Sequence, residues 1–71
     1  MVNLKMLKEK IAESGITMVA LSKKSGIERA TLYNRLDGIG EFTASEISGV
    51  SDALRFNKKE REDIFFAKRV E

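Results

Sequence analysis

Cysteine, histidine, proline and tryptophan are all absent from the 71 residues. Without cysteine there are no disulfides, no thiolate nucleophiles and no cysteine-ligated zinc. Without histidine the chain lacks the commonest metal ligand and the commonest general base. A chain of this length buries only roughly 60% of the surface that its unfolded form exposes, and such small domains often depend on disulfides or a metal. A compact helical packing or a partner chain is left to supply the stability. The neighbouring carboxylates Glu62–Asp63 and Asp37–Glu41 sit among Lys and Arg, which reads as solvated surface and not as an acid–base pair. The expectation is therefore no enzyme, no cofactor, no metal site and no small-molecule substrate.

Long apolar runs are missing too. The longest, Met18-Val19-Ala20-Leu21 and Ile64-Phe65-Phe66-Ala67, fall far short of a bilayer span. The opening Met1-Val2-Asn3-Leu4-Lys5 carries no extended apolar stretch of the kind a signal peptide has. No membrane association and a reducing, cytoplasmic location are expected. Excess charge of one sign is scarce as well. Lys and Arg number 13 against 11 Asp and Glu, leaving a net +2, which permits nucleic-acid binding without arguing for it.

What is present is helical periodicity. Apolar residues recur three and four apart between glycine breaks at Gly15, Gly26, Gly38 and Gly40, while Gly49 falls inside an otherwise helical stretch. About five short helices are predicted, which makes the chain all-α. The first runs from about Asn3 to Ser14, with Leu4, Leu7 and Ile11 on one face and Gly15 as its stop. The second starts at Thr17 as cap, with Ile16 and Leu21 as a hydrophobic staple, and runs to about Lys24. The third spans about Glu28 to Leu36, with Leu32 and Leu36 inward. A fourth opens on the capping box Thr43-Ala44-Ser45-Glu46, stapled by Phe42 and Ile47, and turns Ile47, Val50 and Leu54 inward. The fifth begins near Asn57, with Glu60 as reciprocal cap and Ile64 and Phe65 packing in.

Two helices joined by a three-residue break containing glycine make a helix-turn-helix, and Thr17 to Leu36 fits that pattern in order. Gly26 supplies the positive φ of the turn, Ser22 is small enough for a close crossing, and Leu21, Ile27, Leu32 and Leu36 form the inner side. Residues 1–71 are read as one such domain, with its core at 17–36.

The stretches Leu21-Ser22-Lys23-Lys24-Ser25-Gly26-Ile27, Ala30-Thr31-Leu32-Tyr33-Asn34-Arg35-Leu36-Asp37-Gly38 and Glu41-Phe42-Thr43-Ala44-Ser45-Glu46-Ile47 resemble the lambda-repressor-like helix-turn-helix family of phage repressors, Cro proteins and small bacterial regulators. The resemblance covers roughly residues 3 to 67. It implies a compact bundle of about five helices whose third enters the major groove of double-stranded DNA, with dimers reading paired half-sites. The positions matching the family's base-reading face are Arg29, Ala30 and Asn34, with Glu28, Thr31 and Tyr33 beside them. Helical spacing agrees, since Arg29 with Tyr33 and Ala30 with Asn34 form adjacent rows opposite Leu32 and Leu36. Thr17, Lys23, Lys24, Arg35 and Thr43, with the amides opening the fourth helix, are the candidate phosphate contacts. Two positions depart from the pattern. Met18 stands where many relatives have Gln, and Glu28 stands where Ser, Thr or Asp would cap the third helix. Between Thr17 and Thr43 the charges are four positive and three negative.

Phe65 and Phe66 are adjacent, so one helix cannot bury both rings in one direction. They are the candidate dimer-interface residues, and a homodimer is one expected partner state. The expected function is sequence-specific DNA binding in transcriptional control, as in a repressor or Cro-like protein. The alternative, from another class, is a protein-interaction module of the same fold that acts on a partner regulator as an antirepressor or modulator.

Overall fold

Five helices form in the computed structural model, which describes residues 1–67: α1 (Leu4–Ser14), α2 (Met18–Ser25), α3 (Arg29–Leu36), α4 (Ala44–Leu54) and α5 (Lys58–Phe65). No strand occurs among the described residues. The expected single domain also takes in 68–71, which lie outside them.

The helix starts are set by side-chain caps. Asn3 accepts the Met6 amide at 3.0 Å and Thr17 accepts that of Ala20 at 3.1 Å. Thr43 with Glu46, and Asn57 with Glu60, form complete capping boxes. Each cap satisfies an amide with no partner inside its own helix, and losing one costs about 1 kcal/mol. Gly15 and Gly26 close α1 and α2 in the left-handed conformation, at φ 71° and 75°. Only α3 starts on a residue, Glu28, whose side chain makes no capping bond.

Among the described residues nine side chains make the core: Leu7, Leu21, Ile27, Leu32, Leu36, Ile47, Val50, Ile64 and Phe65. Leu4, Ile11 and Leu54, also expected inside, are half-buried. Phe65 meets Phe42 edge-on at 5.4 Å between ring centres and lies 6.4 Å from Phe56. With 3% of its surface exposed, Phe65 is a core residue and drops out as an interface candidate. The radius of gyration, 11.2 Å, matches the ~11 Å of a compact chain of this length.

The main helix pairing is α2 against α4. Gly49 sits at that crossing. A Cβ built on it would fall 3.0 Å from the Ser25 carbonyl carbon and closer still to the carbonyl oxygen. The backbones of α2 and α4 thus meet between Ser25 and Gly49. Ser22, expected at the close crossing of α2 and α3, is half-buried and also donates its hydroxyl to the Ile27 carbonyl at 2.5 Å across the turn. The turn is also tied by the Gly26 amide, which donates to the Ser22 carbonyl at 3.0 Å.

At the other end of the bundle, α1 packs on α5. Lys10 reaches Glu60 at 3.2 Å. The Asn3 amide donates to the Ile64 carbonyl at 2.6 Å, and the Ala67 amide to the Met1 carbonyl at 3.1 Å. No helix among the described residues is long and apolar enough to cross a membrane.

Candidate nucleic-acid interface

α2 and α3 are separated by Gly26-Ile27-Glu28 alone. Ile27 is buried, as are Leu32 and Leu36 on the inner side of α3, so this row anchors the short helix to the core. The opposite side faces outward. Glu28, Arg29, Ala30, Tyr33 and Asn34 are exposed, while Thr31 is half-buried on the flank. Tyr33 leaves 50% of its surface in solvent, enough for the ring to contact another molecule. Arg29 belongs to none of the ion pairs among the described residues, so no internal partner competes for its guanidinium.

Because Glu28 provides no cap, the first amides of α3 have no side-chain acceptor. They carry the positive end of the helix dipole, beside which the Glu28 carboxylate is electrostatically favoured. Lys23 and Lys24 occupy the last turn of α2, exposed and without an ion-pair partner among the described residues. Their charge suits that negative helix end whether or not a phosphate lies near. Thr17 and Thr43 are exposed, and each hydroxyl accepts from its own helix. A hydroxyl that accepts keeps a proton to donate, which leaves Thr17 able to bond a phosphate oxygen, while the Thr43 hydroxyl also shares a 3.3 Å contact with the Ser45 hydroxyl.

Arg35 does not join them. Its Nε donates to Glu46 Oε1 at 3.1 Å and its Nη1 to the Ile39 carbonyl at 3.1 Å. The Arg35 and Glu46 side chains retain 20% and 16% of their surface. The expected phosphate clamp is therefore an internal tie between the end of α3, the loop after it and the start of α4. Sequence reasoning missed this pairing because the partners lie eleven positions apart and Glu46 is already explained as a capping residue. The one available signal was the absence of any acidic neighbour for Arg35 within its own helix.

Phe66 is 56% exposed, on a shallow groove with Met6, Asn3, Arg61, Glu62 and Ala67. It remains the exposed member of the Phe65–Phe66 pair. No protein family, curated protein or solved structure matches the chain.

Proposed function

We propose that the chain is a sequence-specific DNA-binding regulator of the helix-turn-helix type, with α3 as its recognition helix in the major groove. One observation carries the reading: α3 is held by a buried apolar row while Arg29, Ala30, Tyr33 and Asn34 are exposed on its other side. Arg29 is assigned to a guanine edge and Asn34 to an adenine edge, each through paired hydrogen bonds, with Ala30 or the Thr31 methyl against a thymine methyl. Glu28 and Tyr33 flank that face. Lys23, Lys24, Thr17 and Thr43 are assigned to the phosphates, where they position the protein without reading sequence. Catalysis, cofactors and small-molecule substrates have no part in this reading, and the cell compartment is the cytoplasm, at the nucleoid.

The test is binding to duplex DNA across a salt series, after selecting a preferred site from a random pool. Affinity for random duplex should fall steeply with salt, because each phosphate contact releases counterions. Arg29→Ala should cost about 1–3 kcal/mol on the selected site and relax preference at one base pair. Lys23→Ala should weaken all sequences alike. Identical behaviour of the two variants would refute the division between reading and clamping.

A second reading is favoured by a different observation. Val19, Tyr33 and Ile39 leave 46%, 50% and 59% of their surfaces exposed in and around the same two helices, where charge is nearly balanced. Such a surface suits a protein partner, making the chain an antirepressor or modulator. Weak binding to duplex even at low salt selects this alternative. A homodimer through Phe66 accompanies the DNA reading, and a monomer in sedimentation at high micromolar concentration, with and without the selected duplex, removes it.

A further inference from the structure

The Glu46 carboxylate serves two masters through one oxygen. Its Oε1 accepts the Thr43 amide at 3.0 Å, closing the capping box of α4, and the Arg35 Nε at 3.1 Å, gripping the last turn of α3. The same guanidinium holds the Ile39 carbonyl at 3.1 Å. Gly40 lies flat against it at φ 74°, where a Cβ would collide with Nη1 and stand 3.1 Å from Cζ. The Ile39 amide in turn donates to the Asn34 carbonyl at 2.8 Å. A planar, forked cation suits this work, because it makes several bonds in fixed directions with little further loss of freedom.

We infer that Arg35 and Glu46 are positioning residues that lock the orientation of α3 to the first turn of α4. The inference rests on the DNA-binding reading for its purpose and on the geometry alone for its mechanism. α3 carries the residues assigned to base edges, and Thr43 at the start of α4 is assigned to a phosphate. In a duplex, the spacing between base edges and backbone is fixed. A protein that presents both groups already in register loses less freedom on binding the right site. α3 and α4 each pack on α2 more than on one another, so the Arg35–Glu46 pair is a direct tie between them beside the shared core.

The test uses the full chain with Glu46→Gln and Arg35→Met. Glutamine keeps a carbonyl oxygen able to accept both the Thr43 amide and the Arg35 Nε but loses the charge, and methionine keeps an apolar stem while removing the guanidinium. Ile64→Val, a core truncation in α5, serves as a control that lowers stability without touching the pair. Residual dipolar couplings of the backbone amides report the orientation of α3 relative to α4 in the free protein. In the wild type and Ile64→Val, both helices should fit one rigid frame; in Arg35→Met they should not, and Glu46→Gln should depart less, through the loss of charge alone. Arg35→Met fitting one frame as well as the wild type overturns the inference.

Binding supplies a second readout. Preference for the selected site over random duplex should fall roughly tenfold in Arg35→Met and by less in Glu46→Gln, with the salt dependence on random duplex unchanged. The sign for Glu46→Gln is diagnostic, because removing a negative charge near DNA should otherwise strengthen binding. Stronger binding by Glu46→Gln, together with a salt slope shallower by about 0.9 in Arg35→Met, would mean that Arg35 touches phosphate directly, and would also overturn the inference. Should the wild type bind no duplex at any salt, the DNA reading falls, and the dipolar couplings alone decide whether the lock exists.

Discussion

Replacing Gly49 by alanine sets helix propensity against helix packing, and the two forces give opposite signs. In an exposed helix the change would stabilise by about 1 kcal/mol, since alanine loses less backbone freedom than glycine. Gly49 faces the end of α2 instead. The new Cβ would stand 3.0 Å from the Ser25 carbonyl carbon and 3.3 Å from its Cα, with the carbonyl oxygen nearer. Carbon contacts are comfortable at ~3.5–4.0 Å, and both partners are backbone with no rotamer to change. α4 would have to withdraw from α2 by roughly 1 Å. Leu21 and Val50, both 0% exposed, would lose close contact as the helices part; a gap of that width forfeits roughly a quarter to a half of each facing atom pair's attraction. Overpacking of this kind costs about 1–3 kcal/mol, and opposed backbones place it toward the upper end. Setting the propensity gain against it leaves a net loss of about 1–2 kcal/mol, or a melting midpoint lower by about 5–15 °C for a domain of this size. Thermal unfolding followed by circular dichroism measures it. A midpoint equal to or above that of the wild type would refute the claim that the α2–α4 crossing depends on a missing side chain.

Other perturbations have equally definite signs. Ser51 is 4% exposed and its hydroxyl has no hydrogen-bond partner among the described residues, so Ser51→Ala should leave stability unchanged or raise it by up to about 1 kcal/mol; a clear loss in urea unfolding would mean that the hydroxyl is bonded in solution. The Asn57 amide, and then Lys10, hold the Glu60 carboxyl below its ordinary range. A group whose pKa is depressed on folding adds stability above its unfolded pKa and loses it as pH falls through the folded value. The wild type should therefore lose more stability than Glu60→Gln on acidification below the usual glutamate range. Parallel pH profiles for the two proteins would contradict this.

Much of the fold is legible in the sequence because its signals are local. Thr17, Thr43 and Asn57 cap helices that begin immediately after them, and a cap needs nothing beyond the next three residues. Gly15 and Gly26 end helices for a reason just as local. The exposure of Arg29 and Asn34 follows from the burial of Leu32 and Leu36, given a period of 3.6. What escaped the sequence depends on distant partners. Arg35 reads as an exposed cation until Glu46 is folded against it. Gly49 reads as a weak point in a helix until Ser25 arrives. α4 closes on Arg55 in the left-handed conformation at φ 56°, a place where glycine is the usual signal, so nothing in the residue marked the stop. The helical pattern turns Phe65 inward beside Ile64, but its packing against Phe42 and Phe56 appears only in the fold.

The clasp between Asn3 and Ile64 joins the two ends of the described residues. Loop-closure cost rises slowly with length, yet two backbone bonds alone could not hold such a loop shut without the α1–α5 contact beneath them. The Asn3 amide thus becomes a natural timer. If it exchanges with deuterium as slowly as the amides of Leu21 and Val50, the bundle opens as a unit; faster exchange means that the ends part while the middle stays folded.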